Sequence, residues 1–174
     1  MTLHQYANHN EQAAILSARA QEVFSYVDDF TKLSSHMSQS SPMMAGASME
    51  ISFDNARGQA VGSHVSMNGR VMGIDLFLEE VVTEREPPHH KAWETTGRQR
   101  LLVISNYRLG FDIADQEGAS KLRVSIDYNL PQSSFSSWLG YLFGTIYAKW
   151  CVQQMTKDAR NYFSETRPAM RIAM

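Results

Sequence analysis

The chain has 174 residues, 43% hydrophobic and 20% charged, so one globular domain over residues 1–166 is expected, followed by a patternless tail at 167–174. A formal charge of −2 and a pI near 6.3 give no basic footprint for a phosphate backbone, which excludes nucleic acid as a partner. The single cysteine, Cys151, excludes an intramolecular disulfide, and the first residues lack the charged-then-apolar layout of a signal peptide; the expected location is the reducing cytoplasm.

Residues 6–16 alternate weakly and read as a first strand. Ser17 then stands where an N-cap belongs, and Ala20, Val23, Phe24, Val27 and Phe30 follow at helical spacing, which predicts a helix over 18–30. A short second helical turn is expected over 31–37, before residues 38–42 lose all periodicity and form a loop at a pocket rim. Met49, Ile51 and Phe53 alternate with polar neighbours, the period-two mark of a strand with one buried face. Val65, Met67 and Val71 share a face of the next strand. Ile74, Leu76, Leu78 and Val82 mark its hairpin partner across a turn at Met72-Gly73. Pro87-Pro88 offers no amide to a ladder and ends that strand, and residues 92–96 start another. Leu101, Val103, Tyr107, Leu109, Phe111 and Ile113 predict a long sixth strand. Gln116-Glu117-Gly118 turns the chain into Leu122, Val124, Ile126, Tyr128 and Leu130, whose intervening residues are all polar, so one sheet face is buried and the other wet.

In the last quarter, apolar residues recur at 135, 138, 139, 142, 143, 146, 147, 150, 151, 155, 159, 162 and 163, the 3.6-residue period of a helix. A helix that follows a run of antiparallel strands buries such a stripe by lying across the concave face of the sheet, and the space beneath is the natural ligand site. Its most apolar stretch, 138–152, carries Lys149 and two glycines and is shorter than the roughly 20 residues of a spanning helix, so no transmembrane segment is expected. Gly140 and Gly144 each cost about 1 kcal/mol relative to alanine in a helix interior. A continuous helix is therefore predicted over 145–165, with 133–144 as a shorter helix or gate; the rival reading is that the glycines allow close packing on the sheet. Were part of the stripe a subunit interface, the chain would be a partner-binding module and a homodimer its simplest assembly.

The order of strand, two short helices, five or six further antiparallel strands and a long helix makes an α+β fold. It resembles the START/birch-allergen-like (SRPBCC) superfamily, in particular its polyketide cyclase/dehydrase-like branch. The resemblance is carried by the run Ala-Ile-Leu-Ser-Ala-Arg-Ala-Gln-Glu-Val-Phe-Ser-Tyr-Val at 14–27, the strand end Glu-Val-Val-Thr-Glu-Arg-Glu-Pro-Pro at 80–88, Trp93-Glu94 and the terminal helix. It implies a helix-grip fold, in which a curved antiparallel sheet of six or seven strands wraps a long C-terminal helix and leaves a hydrophobic cavity. Lipid and hormone carriers and aromatic cyclases share that fold.

Candidate chemistry is sparse. His4, His9, His36, His64, His89 and His90 form no helix-face pair with a neighbouring carboxylate, and one cysteine makes no thiolate cluster, so no metal site is expected. No glycine-rich loop leads from a strand into a helix, so no nucleotide cofactor is expected either. His89-His90 reads as a solvated turn and Cys151 as a packed small hydrophobe. Tyr107 and Glu80 are weak catalytic candidates. Glu80 shares the inward face of Leu76 and Leu78, where desolvation raises a carboxyl pKa. The preferred reading is that a bulge at Glu79-Glu80 or a frayed strand end lets it reach water. His64, Asn68 and Arg70 fall on the outer face.

The expected ligand-binding lining is apolar. Met67, Leu76, Leu78 and Trp93 contribute from the earlier strands, Leu109 and Phe111 from a later one, and Trp150 and Met155 from the helix. The phenols of Tyr107, Tyr128 and Tyr147 supply polar groups, and Met43, Met44, Met49 and Met72 join Met67 as adaptable surface. The plainer alternative is that these side chains fill the core. The expected function is binding of a hydrophobic or aromatic small molecule, such as a lipid, isoprenoid or polyketide. The alternative is a cyclase or dehydratase using Tyr107 or Glu80 as acid or base in the same cavity.

Overall fold

The computed structural model describes residues 5–33, 49–71, 73–131 and 134–170, with the backbone alone at 49, 71, 134–141 and 166–170. The elements are β1 (Asn8–Leu16), α1 (Ala20–Val27), α2 (Phe30–Leu33), β2 (Met49–Phe53), β3 (His64–Val71), β4 (Ile74–Glu86), β5 (His90–Arg100), β6 (Tyr107–Gln116), β7 (Ala119–Tyr128) and α3 (Ser134–Met170). The strands form one antiparallel sheet in the order β1-β7-β6-β5-β4-β3-β2, a meander from β2 to β7 with β1 returned alongside β7. This is the helix-grip fold. The expected rim loop at 38–42, the end of the second helical turn, Met43, Met44 and Met72 lie outside the described residues.

Alternation sets which face is buried. On β7, Leu122, Val124, Ile126 and Tyr128 are at most 1% exposed, while Lys121 and Arg123 point to water. β4 ends at Glu86, directly before the two prolines. The first helix starts two residues later than expected and is not capped by Ser17. Instead the Arg19 amide donates to Glu22 Oε2 at 2.9 Å, because the chain first turns back with Ala18 N donating to Leu16 O at 2.8 Å. Asp29 opens α2 by accepting from the Thr31 amide at 3.0 Å.

The long strand predicted from Leu101 is also corrected. β5 runs on to Arg100, which pairs with Phe77, and residues 101–106 are spent crossing back before β6 begins at Tyr107. That crossing stays apolar because Ile104 is buried and Leu101 and Leu102 pack on the core.

The terminal helix is continuous through Gly140 and Gly144 and spans about 55 Å at ~1.5 Å per residue. It extends four residues into the stretch predicted to be a tail. A Cβ at Gly144 would lie 2.5 Å from Leu130 Cδ2 and 2.7 Å from the Val103 carbonyl oxygen. The glycine thus serves close packing and makes no break. The buried seam of α3 runs through Gly144, Ala148, Cys151, Val152, Met155, Thr156 and Ala159. Leu142, Phe143 and Ile146, expected on the buried stripe, are 43%, 47% and 55% exposed. At 100° per residue they project away from a seam made of small side chains. Lower down, Tyr26 of α1 stacks on Tyr162 at a centroid distance of 4.3 Å and packs edge-on to Phe163. Among the described residues no helix is long and apolar enough to cross a membrane.

One buried charge cluster ties α1 to the sheet. Lys91, fully buried on β5, donates to Asp28 Oδ1 at 2.7 Å and to the Asp28 carbonyl at 3.0 Å, and Arg85 donates to Asp28 Oδ2 at 2.8 Å. Burial raises the Asp28 pKa, but Arg85 and Lys91 outweigh it and hold the carboxyl below its ordinary value.

Two substitutions test this packing by urea unfolding. Gly144→Ala gains about 1 kcal/mol of helix propensity, yet the overlap with the Val103 carbonyl wins, for a net loss of about 1–3 kcal/mol; a gain in stability would show a slack contact there. Asp28→Ala strands a buried ammonium and is expected to cost about 3–5 kcal/mol.

Candidate functional site

A cavity of about 60 Å³ lies between the sheet and α3. Its walls come from every layer. α2 supplies Phe30 and Leu33, β3 and β4 supply Met67, Leu78 and Glu80, and β5 and β6 supply Trp93, Tyr107 and Leu109. The 101–106 crossing adds Leu101 and Ile104, β7 adds Ile126, and α3 adds Tyr147, Cys151 and Met155. The surface is mostly apolar, with one carboxyl set into it.

Glu80 is that carboxyl, and the structure overturns the reading that it reaches water. The ladder between β4 and β5 does shift register at Phe77/Glu79, as the expected bulge requires. The shift nevertheless leaves Glu79 on the outer face, where it meets His64 Nδ1 at 2.8 Å, and leaves Glu80 inward and 2% exposed. Glu80 Oε1 accepts from Trp93 Nε1 at 3.2 Å and from the Tyr107 hydroxyl, whereas Oε2 is buried with no partner among the described residues. Thr95 braces the Tyr107 backbone by accepting from its amide at 3.1 Å.

Burial pushes the Glu80 carboxyl up to about 7, against the opposing pull of the Tyr107 and Trp93 donors and of the Lys91 charge. Burial and the neighbouring Glu80 drive the Tyr107 phenol well above its ordinary value, so it remains a donor. Burial likewise sends Tyr147 well up and Cys151 to about 12, with the two in hydrogen-bond contact. Cys151 is therefore a protonated, inert thiol at neutral pH. The set has one group that exchanges a proton near pH 7, held against a phenol in an apolar wall, a combination suited to acid-base chemistry or to hydrogen bonding a guest. Among the described residues no cluster of three or more His, Cys, Asp or Glu side chains is placed to hold a metal.

Of the residues expected to contact a ligand, Met67, Leu78, Trp93, Tyr107, Leu109, Tyr147 and Met155 line this cavity. Leu76, Phe111, Tyr128 and Trp150 do not. Leu76 is packed in the core, and Phe111 wedges edge-on between Phe24 at 5.7 Å and Trp93 at 6.3 Å. The Tyr128 hydroxyl turns to Thr145 Oγ1 at 3.2 Å and accepts from Asn10 at the same distance, which ties β1 to α3. The Trp150 ring packs at a tilt against Tyr147, with centroids 5.9 Å apart. Phe30, Leu33, Leu101, Ile104, Ile126 and Cys151 were not expected; Ile126 was legible, being in phase with Tyr128 on β7, and so was Cys151, one helical turn from both Tyr147 and Met155 on the apolar stripe.

The raised Glu80 pKa makes a stability prediction. The folded state keeps a proton between the ordinary value of 4.5 and about 7, so its stability falls as pH rises through that window and levels off above it. Glu80→Gln removes that slope. Thermal melts should show the variant more stable than wild type above neutrality, by about 3 kcal/mol, and equal to it at acid pH; parallel pH profiles would contradict the burial of the charge.

Residues 9–162 match the family model described as polyketide cyclase / dehydrase and lipid transport. No curated protein matches the chain. Among solved structures it is similar to the Zhui aromatase/cyclase of a Streptomyces species (12% identity, TM-score 0.59, covering 88% of this chain and 89% of that one). It is also similar to a norcoclaurine synthase point mutant of Thalictrum flavum, in complex with a transition-state analogue (11%, TM-score 0.60, 92% and 96%). A START superfamily protein of Mycobacterium smegmatis aligns at 13% identity and a TM-score of 0.57, over 91% and 98%. These likenesses share the fold at identities too low to carry an activity, but the family match spans both the sheet and the helix that enclose the cavity. The chain belongs to the polyketide cyclase / dehydrase and lipid transport family.

Proposed function

We propose that this protein binds an apolar or aromatic small molecule, of lipid, isoprenoid or polyketide type, in the cavity between its sheet and α3. The observation that carries the reading is a mostly apolar cavity closing over a single buried carboxyl, since small-molecule sites pair an apolar lining with a few placed polar groups. At about 60 Å³ the cavity is smaller than the roughly 150 Å³ of an apolar cavity that admits benzene. A ring or chain therefore enters by displacing wall side chains. Met67 and Met155, unbranched and with three rotatable bonds each, are the ones that yield at least cost. A cytoplasmic site of action fits a chain whose one cysteine is a protonated thiol.

Catalysis is the second reading, favoured by a carboxyl balanced near pH 7 beside a phenol. In a cyclase or dehydratase, Glu80 would exchange a proton with the reacting chain while Tyr107 orients the carboxyl through Oε1. The family description names both cyclase and lipid-transport roles, and both fit the same cavity.

Native mass spectrometry of the purified chain, before and after denaturation, should release a defined apolar molecule. Failure to find one, together with no binding of an apolar probe, would defeat the binding reading. Turnover of a poly-β-keto substrate, reduced about 10²–10⁴-fold in Tyr107→Phe or Glu80→Gln variants that keep their fold, would instead establish the enzyme.

A further inference from the structure

The two oxygens of Glu80 are not equivalent. Oε1 already accepts two hydrogen bonds, one from the Trp93 indole N–H, which can only donate, and one from the Tyr107 hydroxyl. A proton on the carboxyl therefore belongs on Oε2, which is buried and has no partner among the described residues. A guest with a purely hydrocarbon surface leaves that O–H unsatisfied, whereas a guest with a carbonyl oxygen completes it.

The groups facing Glu80 sharpen the distinction. Across β4 its ladder partners are Val65 on one side and Thr95 on the other, and the Thr95 hydroxyl is engaged with the Tyr107 backbone. Tyr147 and Cys151 of α3 are protonated and in contact with each other. The nearest cation, Lys91, is committed to Asp28 and lies 4.4 Å from the Phe30 ring centroid and 5.9 Å from that of Trp93. No charged donor in this set competes for a guest's oxygen, so the carboxyl is the specific recognition element.

We propose that Glu80 in its carboxylic acid form donates a hydrogen bond from Oε2 to a carbonyl oxygen of the bound molecule, so that the site selects a compact apolar ketone over the hydrocarbon of the same shape. The selection holds only while Glu80 keeps its proton. This rests on the small-molecule reading of the cavity and adds to it the chemical class of the guest and a pH dependence. With the carboxyl titrating at about 7, the acid fraction is high at mildly acid pH and small at mildly alkaline pH. The ketone's apparent affinity follows that fraction.

Cyclohexanone and its near-isostere methylenecyclohexane, titrated by NMR into the full chain at about pH 6 and about pH 8.5, test the assignment. Wild type should bind cyclohexanone roughly 30-fold more weakly at the higher pH, with a much smaller change for methylenecyclohexane. Glu80→Gln keeps an amide oxygen for Trp93 and Tyr107 and presents N–H in place of the acid O–H, so it should bind cyclohexanone equally at both pH values. Glu80→Met should keep the hydrocarbon and lose the ketone by roughly tenfold. Circular dichroism confirms folding, and the wild-type pH comparison decides the matter if either variant fails to fold. Equal behaviour of the two probes, or ketone affinity that is flat or rises with pH, overturns the role of Glu80 and leaves the cavity reading standing. Binding of neither probe at either pH overturns both.

Discussion

An antiparallel sheet with one apolar face is stable only when something covers that face, and here the cover is largely a single helix. Close contact between α3 and the sheet is the constraint from which the other features follow. It demands a seam of small side chains, supplied by Gly144, Ala148, Cys151 and Ala159. It leaves Leu142, Phe143 and Ile146 outside that seam. At its far end α3 is clamped by the Tyr26–Tyr162 stack on α1. Between these contacts the curved sheet and the helix do not quite meet, and the gap is the cavity.

Two buried ionisable groups, Glu80 in the wall of that gap and Lys91 behind it, are handled in opposite ways. Lys91 keeps its charge by direct pairing with Asp28, which Arg85 also holds, and this cluster fixes α1 and the start of α2 against the sheet. Glu80 has donors but no adjacent cation, so its charged form is only partly compensated and its proton is retained to near neutrality. The rings of Phe30 and Trp93 lie against the Lys91 ammonium and also line the cavity. The structural cation thus stays behind an aromatic layer while the responsive acid faces the guest.

Much of the fold was legible because it rests on alternation. β2, β3, β4 and β7 announce themselves by period-two apolar residues, and Pro87-Pro88 marks the end of β4. The apolar crossing at 101–106 mimics a strand, since hydrophobicity alone does not distinguish a buried loop from a ladder. The helix stripe held at Cys151, Met155 and Ala159 but was misplaced at Leu142, Phe143 and Ile146, because hydropathy weights large side chains whereas close packing selects small ones. Within the site, Met67, Leu78, Trp93, Tyr107 and Leu109 follow from strand phase. Leu33, Leu101 and Ile104 depend on how loops and short helices fold over the sheet, which no local pattern encodes. Glu80 was visible by phase; its burial was not, because only the tertiary partners Trp93 and Tyr107 make an inward carboxyl tolerable.

The most direct test of this arrangement is a carbon-13 NMR titration of the Glu80 side-chain carboxyl in the intact protein. A midpoint near 7, shifted upward in Tyr107→Phe because a donor to the carboxylate is lost, is the result expected of a carboxyl sealed between sheet and helix. A midpoint at the ordinary value of 4.5, unmoved by that substitution, would mean that water reaches Glu80 and that the cavity does not close over it.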